Sequence, residues 1–366
     1  MPDENGRILV INPGSTSTKI AVYCRNGSEF HLTIRHSSDE LQRFGPVLQQ
    51  RDYRAGRICE ELAKAGYDAH AFAAVAGRGG LLPPLPSGTF LVDDAMLEEL
   101  RLARHGEHAS NLGAGLADWF AKRAGVNAYV VDPVSVDEWQ PCARISGSAL
   151  LPRLAQCHAL NTKAVARRFA AEQQRAYEDL RLVVVHLGSG NSVSAHLGGR
   201  MIDNNTGEDG PFGIDRSGAL PVRPLIDLCF NSGLTRKQLN DKVFGEGGVY
   251  SYLGTRDLTE VERRIDAGDT KASEILDAMI YQVAKEAGAM AVTLKGEIDA
   301  ILITGGMANS ERVVTKLSEY LRWISPIKIY PGENEMQSLA EGVFRVLDGL
   351  EPAKRLACGE PVHEQG

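Results

Sequence analysis

The feature that most restricts this chain is a repeated pattern of sixteen residues. Arg7–Val22 (RILVINPGSTSTKIAV) and Arg181–His196 (RLVVVHLGSGNSVSAH) align without a gap, 174 residues apart. Arg7, Val10, Gly14, Ser15 and Ala21 fall on Arg181, Val184, Gly188, Ser189 and Ala195, and His186 takes the place of Asn12. In each copy a β-branched apolar run leads into a Gly-Ser turn and then into a second β-rich run. A short, wholly apolar run suits a strand buried on both faces. Asn12-Pro13-Gly14 is turn chemistry, with φ fixed by Pro and φ > 0 open to Gly. Each copy therefore reads as a β-hairpin with a polar turn. A repeat spacing of about half the chain implies two similar domains in tandem, and 366 residues exceed what one core usually serves. The first domain is expected over 1–150 with a returning C-terminal helix at about 340–366, the second over 151–339. A cleft between duplicated domains is where a ligand is expected.

Two nucleotide motifs fail on these turns. A Walker A loop counted from Gly14 needs Gly before Lys19, where Thr18 stands, and a helix after it, where Lys19–Tyr23 is β-rich. A dinucleotide fingerprint counted from Gly188 needs Gly at 193, where Val stands, and again a helix in place of a strand. What remains is a pair of turns rich in hydroxyls and backbone N–H groups, which together can hold a polyphosphate. Formal net charge is −7 and no Lys/Arg run forms a basic patch, which argues against a nucleic-acid or membrane partner. Phosphate would then be held by local N–H groups and single arginines. No apolar run reaches membrane-spanning length, and the N-terminus has no basic-then-apolar signal, so a cytoplasmic protein is expected. Cysteines 24, 59, 142, 157, 229 and 358 form no C-x-x-C pair and read as buried free thiols. The histidines show no zinc spacing.

Other strand ends carry chemistry. Ala300–Thr304 runs into Gly305-Gly306-Met307-Ala308-Asn309-Ser310 and a helical pattern from about Glu311, a start that can accept phosphate or ribose. Ala73–Ala76 runs into Gly77-Arg78-Gly79-Gly80, and Tyr129–Val131 ends at Asp132-Pro133, a carboxylate at a strand's carboxyl end. Ile275, Met279, Val283, Ala287, Met290 and Leu294 mark a long core-facing helix, and Leu339, Val343, Val346 and Leu350 a second.

Taken in order, VINPGSTSTKIAVY, AGRGGLLPPLPSGTF, GEHASNLGA, VVDPVSVDE, HLGSGNSVSAH, DNNTGEDGPFGIDRSGALP and TGGMANS closely resemble butyrate kinases, within the superfamily of acetate kinases, sugar kinases and actin. The resemblance covers about Ile8 to Leu350. It implies an α/β fold of two duplicated actin-like (ribonuclease H-like) domains with an interdomain active-site cleft. It implies transfer of the ATP γ-phosphoryl to a short-chain fatty acid, giving an acyl phosphate and ADP, with Mg²⁺ required. A homodimer or higher homo-oligomer is the family's expectation. A carboxylate acceptor is already ionised at pH 7, so positioning and charge neutralisation carry such a reaction.

Carried over residue by residue, the resemblance implies that Arg78 and Arg216 flank the acyl carboxylate and the phosphoryl in flight. Asp132 would orient the reacting groups through the Mg²⁺ shell, and Glu335 would hold a metal-bound water. Asn12 would contact the transferred group, with Ser15 and Ser17 nearby. His158 would donate to phosphoryl oxygens, and His108 would lie at the substrate. His186, Gly188, Ser189, Gly190, Asn191, Gly305, Gly306, Met307 and Asn309 would line the nucleotide, where a bulky glycine replacement should block backbone approach to phosphate. One departure concerns the acyl site. Where acetate kinases tend to carry Phe-His-Gly-Thr-Ser-His, this chain reads Cys157-His158-Ala159-Leu160-Asn161-Thr162. Cys157 in place of a large aromatic is the expected change for a roomier acyl pocket. Since pockets discriminate one methylene by only about 10–200-fold, selectivity among butyrate, isobutyrate, propionate and acetate should be graded. A sugar kinase would need an Asp base toward a neutral hydroxyl, and a non-catalytic ATP switch would tolerate loss of Arg78.

Overall fold

The computed structural model describes residues 6–68 and 72–356; Cys358 and the end of the 340–366 segment lie outside them. The described residues form two compact units, one within Met1–Val136 and Asn334–Gly366, the other within Asp137–Glu333. The first division thus falls nearer Val136 than 150. Val136 forms a bridge with Leu85 in unit 1, whereas Trp139 donates from Nε1 to Asn204 Oδ1 at 2.6 Å and belongs to unit 2.

Unit 1 holds strands β1 (Ile8–Pro13), β2 (Ser17–Cys24), β3 (Gly27–Arg35), β4 (Ala74–Gly77), β5 (Thr89–Leu91) and β6 (Ala128–Val131). They form one sheet in the order β3-β2-β1-β4-β6-β5. β1 to β3 are an antiparallel meander, and β4 and β6 extend the sheet parallel to β1. β3 is a strand the apolar pattern did not reveal, because as an edge strand it buries only Ile34 fully. The helix Arg51–Lys64 packs a stripe of Arg54, Ala55, Ile58 and Leu62 inward, and the core beneath it is built from Leu9, Ile11, Ile20, Val22, Leu116 and Phe120.

Unit 2 repeats the plan with β7 (Arg181–Leu187), β8 (Asn191–Leu197), β9 (Arg200–Asn204), β10 (Ala300–Gly305) and β11 (Ile327–Pro331), in the order β11-β10-β7-β8-β9. β7 to β9 form the meander, and β10 runs parallel to β7 as β4 does to β1. The expected long helix is Thr270–Thr293, burying Met279, Val283, Ala287 and Met290. The second expected helix is Glu335–Leu347 and stops short of Leu350, which is exposed.

The gapless alignment of the two hairpins holds for the first strands only. Val10 pairs with Ala21, whereas Val184 pairs with Ser194, not Ala195. Pro13 to Thr18 spans one residue more than Leu187 to Asn191, so the second strands are one residue out of step. In a strand such a slip moves every side chain to the other face; the Ala21–Ala195 identity is coincidental. The thiols also differ from expectation: Cys157 is buried, Cys24 and Cys59 are half-buried, and Cys142 and Cys229 are exposed, all unbridged.

Candidate active site

In unit 1 three of the expected residues meet. β1 ends at Asn12-Pro13, β4 ends just before Arg78, and the helix Glu335–Leu347 begins with its acidic residue at the first helical position. There the positive end of the helix dipole favours a carboxylate. Asn12 Nδ2 donates to Glu335 Oε2 at 2.8 Å, and Arg78 Nη2 lies 3.0 Å from Glu335 Oε1. Glu335 is therefore a helix-start residue held by two donors. Arg78 is buried, and among the described residues its Nη1 has no acceptor. A buried donor without a partner is rare enough to need an explanation, and an anionic ligand oxygen supplies one.

The glycines around Arg78 have a packing reason. A Cβ at Gly77 would stand 2.2 Å from the carbonyl oxygen of Gly113, and one at Gly113 would stand 2.0 Å from that of Arg78. The helix Leu112–Ala124 thus starts with its backbone directly against the end of β4. Asn111 Oδ1 accepts from Leu81 N at 2.9 Å and ties the same segment to the loop after Arg78. His108 caps the short turn before this helix, its Nδ1 accepting from Ser110 N at 3.2 Å.

Asp132 is fully buried and takes φ of 37°, a left-handed conformation that costs a non-glycine residue energy and often marks a functional position. Its Oδ1 accepts from Ser87 Oγ at 2.5 Å and from Gly88 N at 2.8 Å. Ser15 is exposed and Ser17 half-buried on the turn between β1 and β2, which Gly14 N closes by donating to Ser17 O at 2.7 Å.

In unit 2 the second hairpin carries the other group. Asn161 Nδ2 lies 2.8 Å from His186 Nδ1 and donates to Thr304 Oγ1 at 3.2 Å. An amide nitrogen can only donate. His186 therefore accepts at Nδ1 and keeps its proton on Nε2, the atom 3.2 Å from Glu333 Oε1. His158 stacks on His186 with ring centroids 3.8 Å apart, and its Nδ1 lies 3.0 Å from Ser192 Oγ. Gly188 N donates to Asn191 Oδ1, and Asn191 Nδ2 donates to the carbonyl of Phe212. Asp215 N donates to Ser189 O, and a Cβ at Gly190 would stand 3.2 Å from Arg216 Cγ. Arg216 is thereby set beside this turn, half-exposed, its Nε 3.5 Å from Asp215 Oδ1. Burial raises the Asp215 carboxyl above its ordinary range, with Arg216 and Arg256 opposing.

Beyond β10 the helix starts at Glu311 as expected, with one further turn before it. A turn of 3₁₀ helix, Gly306–Asn309, separates the strand from the helix Glu311–Leu321, whose first turn is capped by Ser310. The Met307 side chain is buried in the unit 2 core, so only its backbone is open to a ligand. Asn309 folds back to the carbonyl of Gly306. Gly305 has φ of 96°, and a Cβ there would stand 2.2 Å from Leu187 O, so its glycine is a requirement of the fold; Gly306 faces open space. Cys157 Sγ lies 3.3 Å from Met201 Sδ.

Asn161 and Arg54 were not singled out by sequence. Asn161 sits on the buried face of the helix Ala159–Glu172. Arg54 was detectable as a charged residue on the apolar stripe with Ile58 and Leu62. Among the described residues no helix is long and apolar enough to cross a membrane, and no group of three or more His, Cys, Asp or Glu could hold a metal ion by itself.

The model of the acetokinase family matches residues 153–344. A probable butyrate kinase of Listeria monocytogenes is 47% identical over 349 residues, covering 95% of this chain and 98% of the relative. Butyrate kinase 1 of Clostridium acetobutylicum is 46% identical over 350 residues, covering 95% and 99%. In fold the chain is similar to the acetate kinase of Porphyromonas gingivalis, with a TM-score of 0.76 at 17% identity over 93% of this chain and 100% of that one. It is also similar to a propionate kinase of Francisella tularensis, with a TM-score of 0.71 at 17% identity over 92% and 98%. The two units are duplicated actin-like (ribonuclease H-like) α/β domains, and the chain belongs to the acetokinase family.

Proposed function

We propose that the protein is a carboxylate kinase that reversibly transfers the γ-phosphoryl of ATP to a short-chain fatty acid, butyrate foremost, forming an acyl phosphate and ADP. The observation that carries this reading is the Asn12–Glu335–Arg78 cluster, in which one arm of a buried guanidinium is anchored and the other has no acceptor among the described residues. Such an arm suits an incoming oxygen anion. Two relatives of nearly full-length coverage bear the name butyrate kinase, which supports butyrate over acetate.

In this reading Arg78 binds the acyl carboxylate and the transferring phosphoryl, Arg216 neutralises phosphoryl charge, and Asn12 contacts the transferred group. The Ser15 and Ser17 turn lies beside it. His186 presents its Nε2 proton to phosphate oxygens, His158 donates beside it, and the Gly188–Asn191 turn with the Gly305–Asn309 segment holds the nucleotide. Because the acceptor is an ionised carboxylate, no general base is required. Magnesium, when bound, neutralises polyphosphate charge. Asp132 and Glu335 fit such an ion: it is usually held by one or two carboxylates with water and substrate phosphates. Both carboxylates already accept hydrogen bonds within the chain, which favours contact through water. The same reading places the protein in the cytoplasm as a homodimer or higher homo-oligomer, which light scattering of the purified protein measures.

The reverse reaction tests the assignment. Butyryl phosphate, ADP and Mg²⁺ mixed with the protein should yield ATP, detected by luciferase. ATP consumption with glucose but none with any carboxylate would move the assignment to sugar kinases.

A further inference from the structure

We infer that Arg54, far along the chain from every residue assigned above, is the positioning residue that gives the first phosphate turn its anion-binding polarity. This inference rests on the proposed carboxylate-kinase reading and deepens it.

The four carbonyls of the turn Gly14–Ser17 are all occupied from within. Arg54 Nη1 donates to Gly14 O at 2.8 Å and to Ser17 O at 3.0 Å, and Arg54 Nη2 donates to Ser15 O at 3.1 Å. The remaining carbonyl, Thr16 O, accepts from His36 N at 2.9 Å. By contrast, among the described residues the amides of Ser15 and Thr16, both exposed, have no acceptor. A turn whose carbonyls face a buried cation and whose amides face outward is polarised for an anion.

Arg54 is 1% exposed, so it reaches no ligand itself. Gln50 aims it, its Oε1 accepting from Nη2 at 2.8 Å and from Nε at 3.1 Å, and Thr18 Oγ1 accepts from Nη1 at 3.1 Å. Among the described residues no carboxylate pairs with Arg54, so its charge is not cancelled locally, and burial pushes its pKa down to about 10, leaving it charged at neutral pH. The planar fork matters because one group serves three carbonyls, the Thr18 hydroxyl and the Gln50 amide oxygen at once, five acceptors against the three N–H groups of an ammonium. The second hairpin is built otherwise. Its turn is one residue shorter and is held by the Asn191 amide, with no arginine on its carbonyls among the described residues. The extra residue of the first turn is what supplies the additional carbonyl for the guanidinium.

The test uses Arg54→Lys, Arg54→Ala and Gln50→Leu in the full chain, comparing acyl-hydroxamate turnover, ATP affinity by calorimetry and far-UV circular dichroism. Arg54→Lys should lower kcat about 100-fold, the scale of losing a preorganised oxyanion donor, with ATP affinity and ellipticity unchanged. Added guanidinium ion should restore part of the kcat of Arg54→Ala and leave the wild type unaffected. Arg54→Lys with wild-type kcat would overturn the inference. So would kcat, ATP affinity and ellipticity falling together without any guanidinium response. Should the Arg54 variants not fold, Gln50→Leu decides, because it keeps the guanidinium but removes the acceptor that aims it. A kcat loss of about 10-fold at unchanged ATP affinity is then expected, and a wild-type kcat overturns the inference. A wild type that forms no hydroxamate overturns the proposed function and this inference with it. An active wild type with indifferent variants overturns the inference alone.

Discussion

Asn12 and Arg78 share one carboxylate, that of Glu335, at 2.8 and 3.0 Å. Residues separated by most of the chain meet because the helix Glu335–Leu347 returns to the sheet of unit 1 and begins at the ends of β1 and β4. The carboxylate fixes one arm of Arg78, and among the described residues Nη1 has no acceptor. Arg78→Ala should therefore lower kcat by about 10³-fold or more, the scale of an arginine on a transferring phosphoryl. Arg78→Lys should recover little, because a compact ammonium lacks the rigid fork that points one arm at Glu335 and the other away from it. Steady-state hydroxamate kinetics with calorimetric ATP affinity checks both, and an Arg78→Ala enzyme within a few-fold of wild type would remove Arg78 from the reaction.

Two neighbouring glycines should respond oppositely. Gly305 adopts φ 96° and ψ 172°, a region nearly exclusive to glycine, with Leu187 O where a Cβ would go. Gly305→Ala should cost roughly 3 kcal/mol or more of stability through strain and collision. Gly306→Ala meets nothing within 4 Å and should be nearly neutral. Thermal unfolding of the two variants side by side measures the contrast.

The network behind the first turn should make stability depend on pH. Burial first, and the Arg54 guanidinium next, push the His36 pKa from 6.5 down to about 4. The unfolded chain then binds a proton that the folded chain refuses, so this contribution is complete above about pH 6.5 and is lost progressively as pH falls toward 4. His36→Gln, which can keep a hydrogen bond to Thr18 Oγ1 in place of the 2.9 Å contact seen here, should flatten that part of the curve. Urea unfolding midpoints between pH 7 and pH 4 would show it, and parallel wild-type and variant curves would contradict it.

Acyl selectivity should be movable at Cys157, but not by one substitution. With Met201 Sδ 3.3 Å from Cys157 Sγ, a phenylalanine at 157 would overpack unit 2, costing about 1–3 kcal/mol. Cys157→Phe with Met201→Ala should fold and shift kcat/KM from butyrate toward acetate, by about 10–200-fold per methylene excluded. An unchanged butyrate-to-acetate ratio in the folded double variant would show that Cys157 does not shape the acyl pocket.

The residues that could be read from sequence are those whose chemistry is local. The two Gly-Ser turns, Asp132 at the end of β6 and Arg78 after β4 follow from strand periodicity and turn residues. A returning C-terminal helix was expected, but only from about 340; that it begins at Glu335 and meets Asn12 could not be read, because nothing local to either residue names the other. The one-residue slip between the hairpins was invisible to a gapless alignment, since the extra turn residue is balanced by the strand register and not by a visible insertion. The packing role of two glycines was also hidden: a Cβ at Gly77 or Gly305 would meet the carbonyl of Gly113 or Leu187, contacts that only the fold creates. Arg54 carried a signal, a charge on an apolar helical stripe. Only the fold shows that the stripe faces the turn.

The most direct measurement is acyl-hydroxamate formation by the wild-type protein with ATP and Mg²⁺ across acetate, propionate, butyrate, isobutyrate, valerate, isovalerate and hexanoate. Hydroxamate from several acids, graded by chain length with a maximum near butyrate, is the result this account predicts. ATP binding without hydroxamate from any acid would contradict it.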